Sequence, residues 1–492
     1  MGCEMNLTRR LAALLLALSL IFAVFSSCGK AGDSGKSEGT LLADGATEET
    51  TEAETGILDF LPNKDFGGES FTILQRDGYD YEFKSEEQTG DLIEDAIYQR
   101  NSLVEDFYNI KIKTIEKPYT WGGGDTFNKE LVSSIMAGDS DFDIVAGYAA
   151  MILGAIQKGL FINWYDVPNI NVDNPWWSPQ IADSLTINNK MFAMSGDISL
   201  SLWECMECIY YNQKIAENYS SGDFYQIVKD NSWTFDIMNE SASQVYGDLN
   251  GNSEYDPGDM HGFIAVHSTP IDAFLPAFDI QVVKRGDDGW LHFTINSERT
   301  VGALEKLASM FFSGGNYAFM TATENLEVIF KEDRALFYAG DLRLSARLRD
   351  METNYGILPY PKYDENQEKY YSSSTDGFSV ILFPSTVSDI DFTGFITEAL
   401  CAASSGIVVP AYYDVALKDK YNRDAQSAEM LDIIRSVLVF DYGYLNSFAL
   451  DGAGHIFVEL ARRGKTDFAS DYAKKEKALE KKLALMQEAY ED

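Results

Sequence analysis

Positive charge is scarce in this chain. Only 39 Lys and Arg stand against 77 Asp and Glu, a net charge of −38 over 492 residues. A nucleic-acid binder needs a basic footprint, so that class is excluded. Adsorption to anionic lipid by charge is excluded too. The acidity is read as a solvated, self-repelling surface, and not as a sign of a cationic ligand. Histidine is also rare. His261, His267, His292 and His455 are scattered, with no metal-helix spacing. Cysteine is sparse at five: Cys3, Cys28, Cys205, Cys208 and Cys401. Three lie beyond the first 28 residues, an odd number that does not suit a disulfide framework. Cys205 and Cys208 form a C-x-x-C, but the segment reads as a strand. Residues three apart on a strand are ~10 Å apart, beyond the ~7 Å between Cα atoms that a disulfide tolerates. No second pair completes a zinc site, so these are expected to be packed thiols.

Catalytic signatures are missing as well. There is no G-x-S-x-G elbow and no Walker A sequence, and Gly122-Gly123-Gly124-Asp125 is too short to replace one. No repeat with a period of 20–50 residues is visible. Carboxylate pairs are so abundant that no chosen pair informs about glycoside hydrolysis. Beyond the N-terminal region no apolar run approaches a membrane span.

What is present begins at the N-terminus. Arg9 and Arg10 precede an apolar run from Leu11 to Phe25, and Ser26-Ser27-Cys28-Gly29 follows. The run is about fifteen residues, short of the ~20 that span a bilayer. A basic region, a short apolar stretch and small residues make a secretory signal. The Cys after two small residues resembles a bacterial lipoprotein signal, with Phe25 where Leu is usual and Met5 as an alternative start. Residues 1–27 are therefore expected to be a signal peptide and Cys28 a lipidated residue. That places the rest on the extracellular face of the cell membrane, held by a lipid anchor. Residues 28–56 are mostly Gly, Ser, Thr, Ala, Asp and Glu with almost no apolar mass. Such a segment cannot offset its ordering entropy and is expected to be a disordered acidic tether, reaching roughly 30 Å.

Order is expected from Ile57 onward. Strands are predicted at 70–74, 110–115, 143–146, 190–194, 206–211, 335–338, 355–358 and 377–382. Helices are predicted at 91–108, 127–136, 232–245, 301–312, 325–330, 392–403, 429–440 and 472–491. Strands alternating with helices define an α/β chain.

One loop carries metal-ligand spacing. Asp248, Asn250, Asn252, Asp256 and Asp259 occupy positions 1, 3, 5, 9 and 12, and Glu254 at position 7 offers a backbone carbonyl. This is the spacing of an EF-hand-like loop, so a structural Ca2+ is expected there. It departs at position 6, where Ser253 replaces Gly, and at position 12, where Asp259 replaces Glu. An acidic turn that only solvates is the bland alternative. Aromatics form a second constellation: Trp121, the adjacent Trp176 and Trp177, Trp203, Tyr210 and Tyr211. Flat faces of this kind suit sugar rings, although most Trp residues pack in cores. An extended Trp176-Trp177 pair cannot point both rings into one core.

A succession of segments then resembles a known family. Asp143-Ile144-Val145-Ala146-Gly147 is followed by Gly159-Leu160-Phe161-Ile162-Asn163-Trp164 and Asn189-Lys190-Met191-Phe192-Ala193-Met194. Ile209-Tyr210-Tyr211-Asn212-Gln213-Lys214 comes next, then Trp233-Thr234-Phe235-Asp236 and Asp259-Met260-His261-Gly262-Phe263. Arg334-Ala335-Leu336-Phe337-Tyr338-Ala339-Gly340 and Tyr355-Gly356-Ile357-Leu358-Pro359-Tyr360-Pro361-Lys362 complete it. Over residues 66–442 the order is similar to that of extracellular solute-binding proteins of ATP-binding-cassette (ABC) importers, the sugar-binding group.

The resemblance implies a two-lobe, periplasmic-binding-protein-like (type II) α/β fold with crossing hinge strands and a helical C-terminal part. Lobe 1 would hold 57–197 and 378–410, and lobe 2 would hold 205–372 and 411–492. The crossings would fall at 195–210 and 371–377. Ligand contacts would come from Tyr148, Trp177, Asp197, Trp203, Asp341 and Asp376. The implied role is capture of a carbohydrate, an oligosaccharide, by a monomeric, non-enzymatic, lipid-anchored protein that delivers it to the permease subunits of an ABC transporter. A leash at Cys28 suits a Gram-positive cell. The competing readings are a secreted carbohydrate-active enzyme and a surface glycan-adhesion protein.

Overall fold

Apolar Phe71, Ile73 and Leu74 drive the first strand into the core, where all three are buried. The computed structural model describes residues 56–491, apart from 120–123, 220, 254–255, 267, 313–318, 321–325, 415–416 and 418–424. The signal segment, Cys28, Trp121 and Glu254 lie outside the described residues, as does the tether apart from its last residue. In chain order the strands are β1 (Glu69–Arg76), β2 (Ile110–Lys117), β3 (Ile144–Tyr148), β4 (Glu207–Asn212), β5 (His261–Val266), β6 (Val283–Arg285) and β7 (Leu291–Phe293). They continue with β8 (Phe319–Met320), β9 (Ala335–Asp341), β10 (Tyr355–Leu358), β11 (Ser372–Ser373), β12 (Ser379–Leu382) and β13 (Leu438–Val439).

Two main sheets result. The first has the order β12-β3-β1-β2 and the second β10-β4-β9-β5-β8. In the first sheet β1 pairs in parallel with β2 and with β3, while β12 runs antiparallel to β3. The parallel strands are separated by helices, as parallel pairing requires. Asp91 starts the helix Leu92–Tyr108 by accepting from the Ile93 and Glu94 amides. In the second sheet β4 lies antiparallel between β9 and β10, and β5 runs parallel to β9.

The chain leaves the first sheet after β3, builds the second from β4 to β10, and returns for β12. The outward and returning segments meet. Met206 bridges to Ser374, and the Thr375 amide donates to the Cys205 carbonyl at 2.8 Å. Buried Glu82 ties both to the first sheet's side: one oxygen accepts from the Ser201 amide at 2.8 Å and the other from the Ser379 hydroxyl at 2.5 Å. The C-terminal helix Phe468–Gln487 touches both sides, packing on Leu153–Lys158 and on the helix Glu298–Phe312.

Some expectations differ from the outcome. Residues 190–194 run extended without forming a strand. They meet β12 only at Met194 and Ile381, and they follow a turn in which Asn188 and Asn189 take positive φ of 48° and 59°. Trp203 lies in a short helix, Ser201–Glu204, rather than in the strand, which starts at Glu207. Cys205, Cys208 and Cys401 are free and buried. The 25-residue helical stretch Ile390–Asp414 is long and apolar enough to cross a bilayer, yet most of it is buried in the fold. It packs against Leu92–Tyr108, so its apolarity serves the core.

Candidate functional site

The carboxyl ends of parallel strands are where α/β sheets hold ligands, because the connecting loops diverge there. Here the ends of β1 and β3 on one sheet face the end of β9 on the other. Arg76 ends β1, is buried, and donates through Nη2 to the Gly377 carbonyl at 2.6 Å. Its guanidinium carbon lies 3.4 Å from the centre of the Tyr79 ring and 4.8 Å from that of Tyr148. From the other side, Arg343 donates through Nη1 to the Tyr79 hydroxyl at 2.6 Å. Arg343 also donates through Nε to Asp341 at 3.1 Å. Asp341, Arg343, Tyr79, Arg76 and Tyr148 thus form one continuous line of contact between the sheets.

The returning segment closes one end of this line. Asp376 is 1% exposed, and its Oδ2 is 4.0 Å from His455 Nε2. His455 reaches Asp272 through Nδ1 at 3.3 Å. Burial pushes the Asp376 carboxyl up to about 6, and nearby His455 only partly offsets it. Burial disfavours charge on His455, but its bond to Asp272, with the charges of Asp272 and Asp376, raises its pKa overall.

The six residues expected at the ligand fall into two groups. Tyr148, Asp341 and Asp376 lie along the junction just described. Trp177, Asp197 and Trp203 line a separate groove of about 350 Å3, together with Trp176, Arg435 and Asp432. In that groove the Arg435 guanidinium carbon sits 4.3 Å from the Trp203 ring centre. Burial raises the Asp197 carboxyl to about 6. Trp177 is 1% exposed, packs edge-on to Trp164 at 5.1 Å, and donates Nε1 to Glu398 at 2.8 Å. Trp176 donates to the same carboxylate at 3.2 Å and keeps part of its ring exposed. A single buried Glu therefore fixes both indoles.

Arg76, Tyr79, Arg343 and His455 were not found by sequence reasoning. The polar Gln75-Arg76 ending of an otherwise apolar strand was a usable signal. His455 had none, since its partner Asp272 is 183 residues away.

The acidic loop is organised around two carboxylates. Asp248 accepts from the Gly251 and Ser253 amides at 2.6 and 2.8 Å. Asp256 accepts from the Asn250 and Asn252 side chains at 2.8 and 2.5 Å and from the Gly258 amide at 2.6 Å. Asp259 is fully buried and accepts from the Leu249 amide at 3.3 Å. Ser253 has a φ of 61°, so it takes the left-handed turn for which position 6 of such loops normally uses Gly. Backbone shape and donor chemistry fit a hard cation. Among the described residues, however, no three carboxylate, His or Cys groups already converge on one point.

Two sheets joined by crossing segments, with strand ends facing across the junction, define the periplasmic-binding-protein fold of the maltose-binding type. Solved structures match it over most of the chain. A cyclo/maltodextrin-binding protein complexed with maltotetraose aligns with a TM-score of 0.54 at 13% identity, covering 86% of this chain and 97% of its own. The GacH receptor of Streptomyces glaucescens, solved unliganded and with acarbose, aligns at 0.53 and 12% identity, covering 85% and 99%. An ABC substrate-binding protein of Listeria monocytogenes in complex with cycloalternan aligns at 0.51 and 12% identity, covering 86% and 98%. Neither a family model nor a curated protein matches the sequence.

Proposed function

We propose that this chain is the substrate-binding protein of an ABC importer and captures an oligosaccharide at the junction of its two sheets. The observation that carries the reading is the facing of Arg76, Tyr79 and Tyr148 with Asp341 and Arg343 across that junction. Tyrosine faces stack on the apolar faces of sugar rings, while arginine and carboxylate groups bond hydroxyls. The ligands named for the matched structures, maltotetraose and cycloalternan, support a glycan. The protein does no chemistry. It closes its lobes on the ligand by hinge motion and hands it to permease subunits.

The lipoprotein reading belongs to the same proposal. Cys28 carries the anchor, residues 28–56 act as the leash, and the lobes stand at the extracellular face. A calcium ion in the 248–259 loop, held by Asp248, Asn250, Asn252, Asp256 and Asp259 with the Glu254 carbonyl, stiffens lobe 2.

Titration calorimetry with maltotetraose and a cyclodextrin, followed by small-angle scattering, tests the function. Heat of binding together with a smaller radius of gyration is expected. No binding at millimolar glycan, or cleavage of the glycan, overturns the reading.

A further inference from the structure

A second cavity lies on the second sheet's side of the crossing segments. It has about 60 Å3 of open volume and is lined by Glu207, Asp272, Asp279 and Asp441, with no Lys, Arg or His in its wall. That volume admits a few water-sized groups.

The four carboxylates are not alike. Asp441 is satisfied, accepting from the Val282 amide at 2.7 Å and the Tyr444 amide at 2.9 Å. Asp272 uses Oδ2 for Tyr444 and His455, both at 3.3 Å, while its buried Oδ1 has no donor. Asp279 is exposed on the rim. Glu207 is the exception. It is 1% exposed, and neither of its oxygens has a hydrogen-bond donor at bonding geometry, although Thr269 lies beside it. Its strand partner across β4 and β9 is Asp341, another acid.

A buried carboxylate is costly unless it takes up a proton or a cation pairs with it. The nearby cations are committed, Arg343 to Asp341 and Tyr79 and His455 to Asp272. A divalent metal needs six or more hard oxygens, and no such cluster of groups exists among the described residues. An ammonium brings positive charge and several N–H donors in a compact head. Its carbon skeleton would meet the Tyr444 and Phe440 side chains that also line the cavity.

We propose that this cavity receives an ammonium group of the ligand, seated between Glu207 and Asp272, so that the captured solute is an amine-bearing saccharide. This rests on the glycan-binding reading above. Surface acidity carries no weight in it, because the inference comes from buried oxygens without donors. Burial and the charge of Asp341 push the Glu207 carboxyl well up, and a seated cation would restore its negative charge.

Calorimetry on the full chain at neutral pH, with three probes, tests the inference. The probes are a glucosamine trimer, its N-acetylated counterpart and spermidine. The glucosamine trimer is expected to bind at least tenfold more tightly than the acetylated one. That ratio should collapse in Glu207→Gln. Should this variant fail to fold, Asp279→Asn on the rim is expected to reduce the ratio severalfold. Equal affinity for the two trimers overturns the ammonium site and leaves the glycan reading standing. Binding of spermidine without either trimer keeps the cation site and overturns the amine-bearing saccharide as its ligand. Absence of binding by all three overturns the ammonium site, and the maltotetraose titration decides the glycan reading separately.

Discussion

Arg343 donates to the Tyr79 hydroxyl at 2.6 Å, joining two residues 264 positions apart that follow strands of different sheets. This is a polar latch across the junction, and Arg76 stacked on Tyr79 stiffens its near side. Opening the lobes must break the bond or carry one partner away.

Arg343→Ala removes the donor and frees Asp341. A hydrogen bond to a charged group contributes about 1.5–3 kcal/mol. The radius of gyration without ligand should increase, and oligosaccharide affinity should fall by at least about tenfold. Unchanged scattering and affinity would count against the latch.

Tyr148 and Trp177 should separate when replaced. Tyr148→Ala is expected to weaken glycan binding by about tenfold or more, with a modest loss of stability. Trp177→Ala leaves a cavity and takes the donor from one oxygen of Glu398, and should cost about 3–5 kcal/mol of stability. Denaturant melts read beside titration calorimetry distinguish the two. A Trp177 variant of native stability but lost affinity contradicts the packing role.

Stability should fall as pH rises from about 4 to about 7. Burial lifts Asp197 and Asp376 to about 6, above their unfolded value. Their native forms hold protons that the unfolded chain has already released, so stability is lost as pH climbs towards about 6. His455 is raised, and its contribution is present below its unfolded pKa and lost as pH rises through the folded one. Both effects point the same way, and each of the two carboxyls contributes about 3 kcal/mol at most. Urea melts across that range should show the decline, and Asp376→Asn should flatten it. A stability maximum at pH 8 would refute this assignment.

Calcium should stabilise the protein. Adding the ion in large excess over its dissociation constant is expected to raise the melting temperature by several degrees, through mass action on the native state. A chelator should reverse the shift, and Asp248→Ala should abolish it. A melting curve indifferent to calcium removes the ion from the 248–259 loop.

Anchoring is testable in cells. Cys28→Ala should block labelling by a fatty-acid probe and release the protein to the medium. Retention of label on the variant would place the modification elsewhere.

Local pattern carried much of the fold. The apolar period of Ile97, Val104 and its neighbours specified the helix Leu92–Tyr108, and Asp91 announced its start. Short apolar strands such as β3 were legible for the same reason, since their burial is written into consecutive residues. β5 was not, because His261 and Gly262 interrupt the apolar run, and its pairing with β9 decides it. The apolar residues Met191 to Met194 suit a strand by local composition. Only tertiary placement showed that this segment meets β12 at a single bridge.

The site divides in the same manner. From the chain alone came the α/β class, the order of segments, the spacing of the acidic loop and the expectation of export, all properties of residues close in sequence. Tertiary structure alone put Arg343 on Tyr79, set His455 between Asp272 and Asp376, and sent the Trp177 ring into the core. Hydrogen bonds and charge pairing act over a few ångströms. Partners hundreds of residues apart therefore leave no local pattern, and only the crossing segments bring them together.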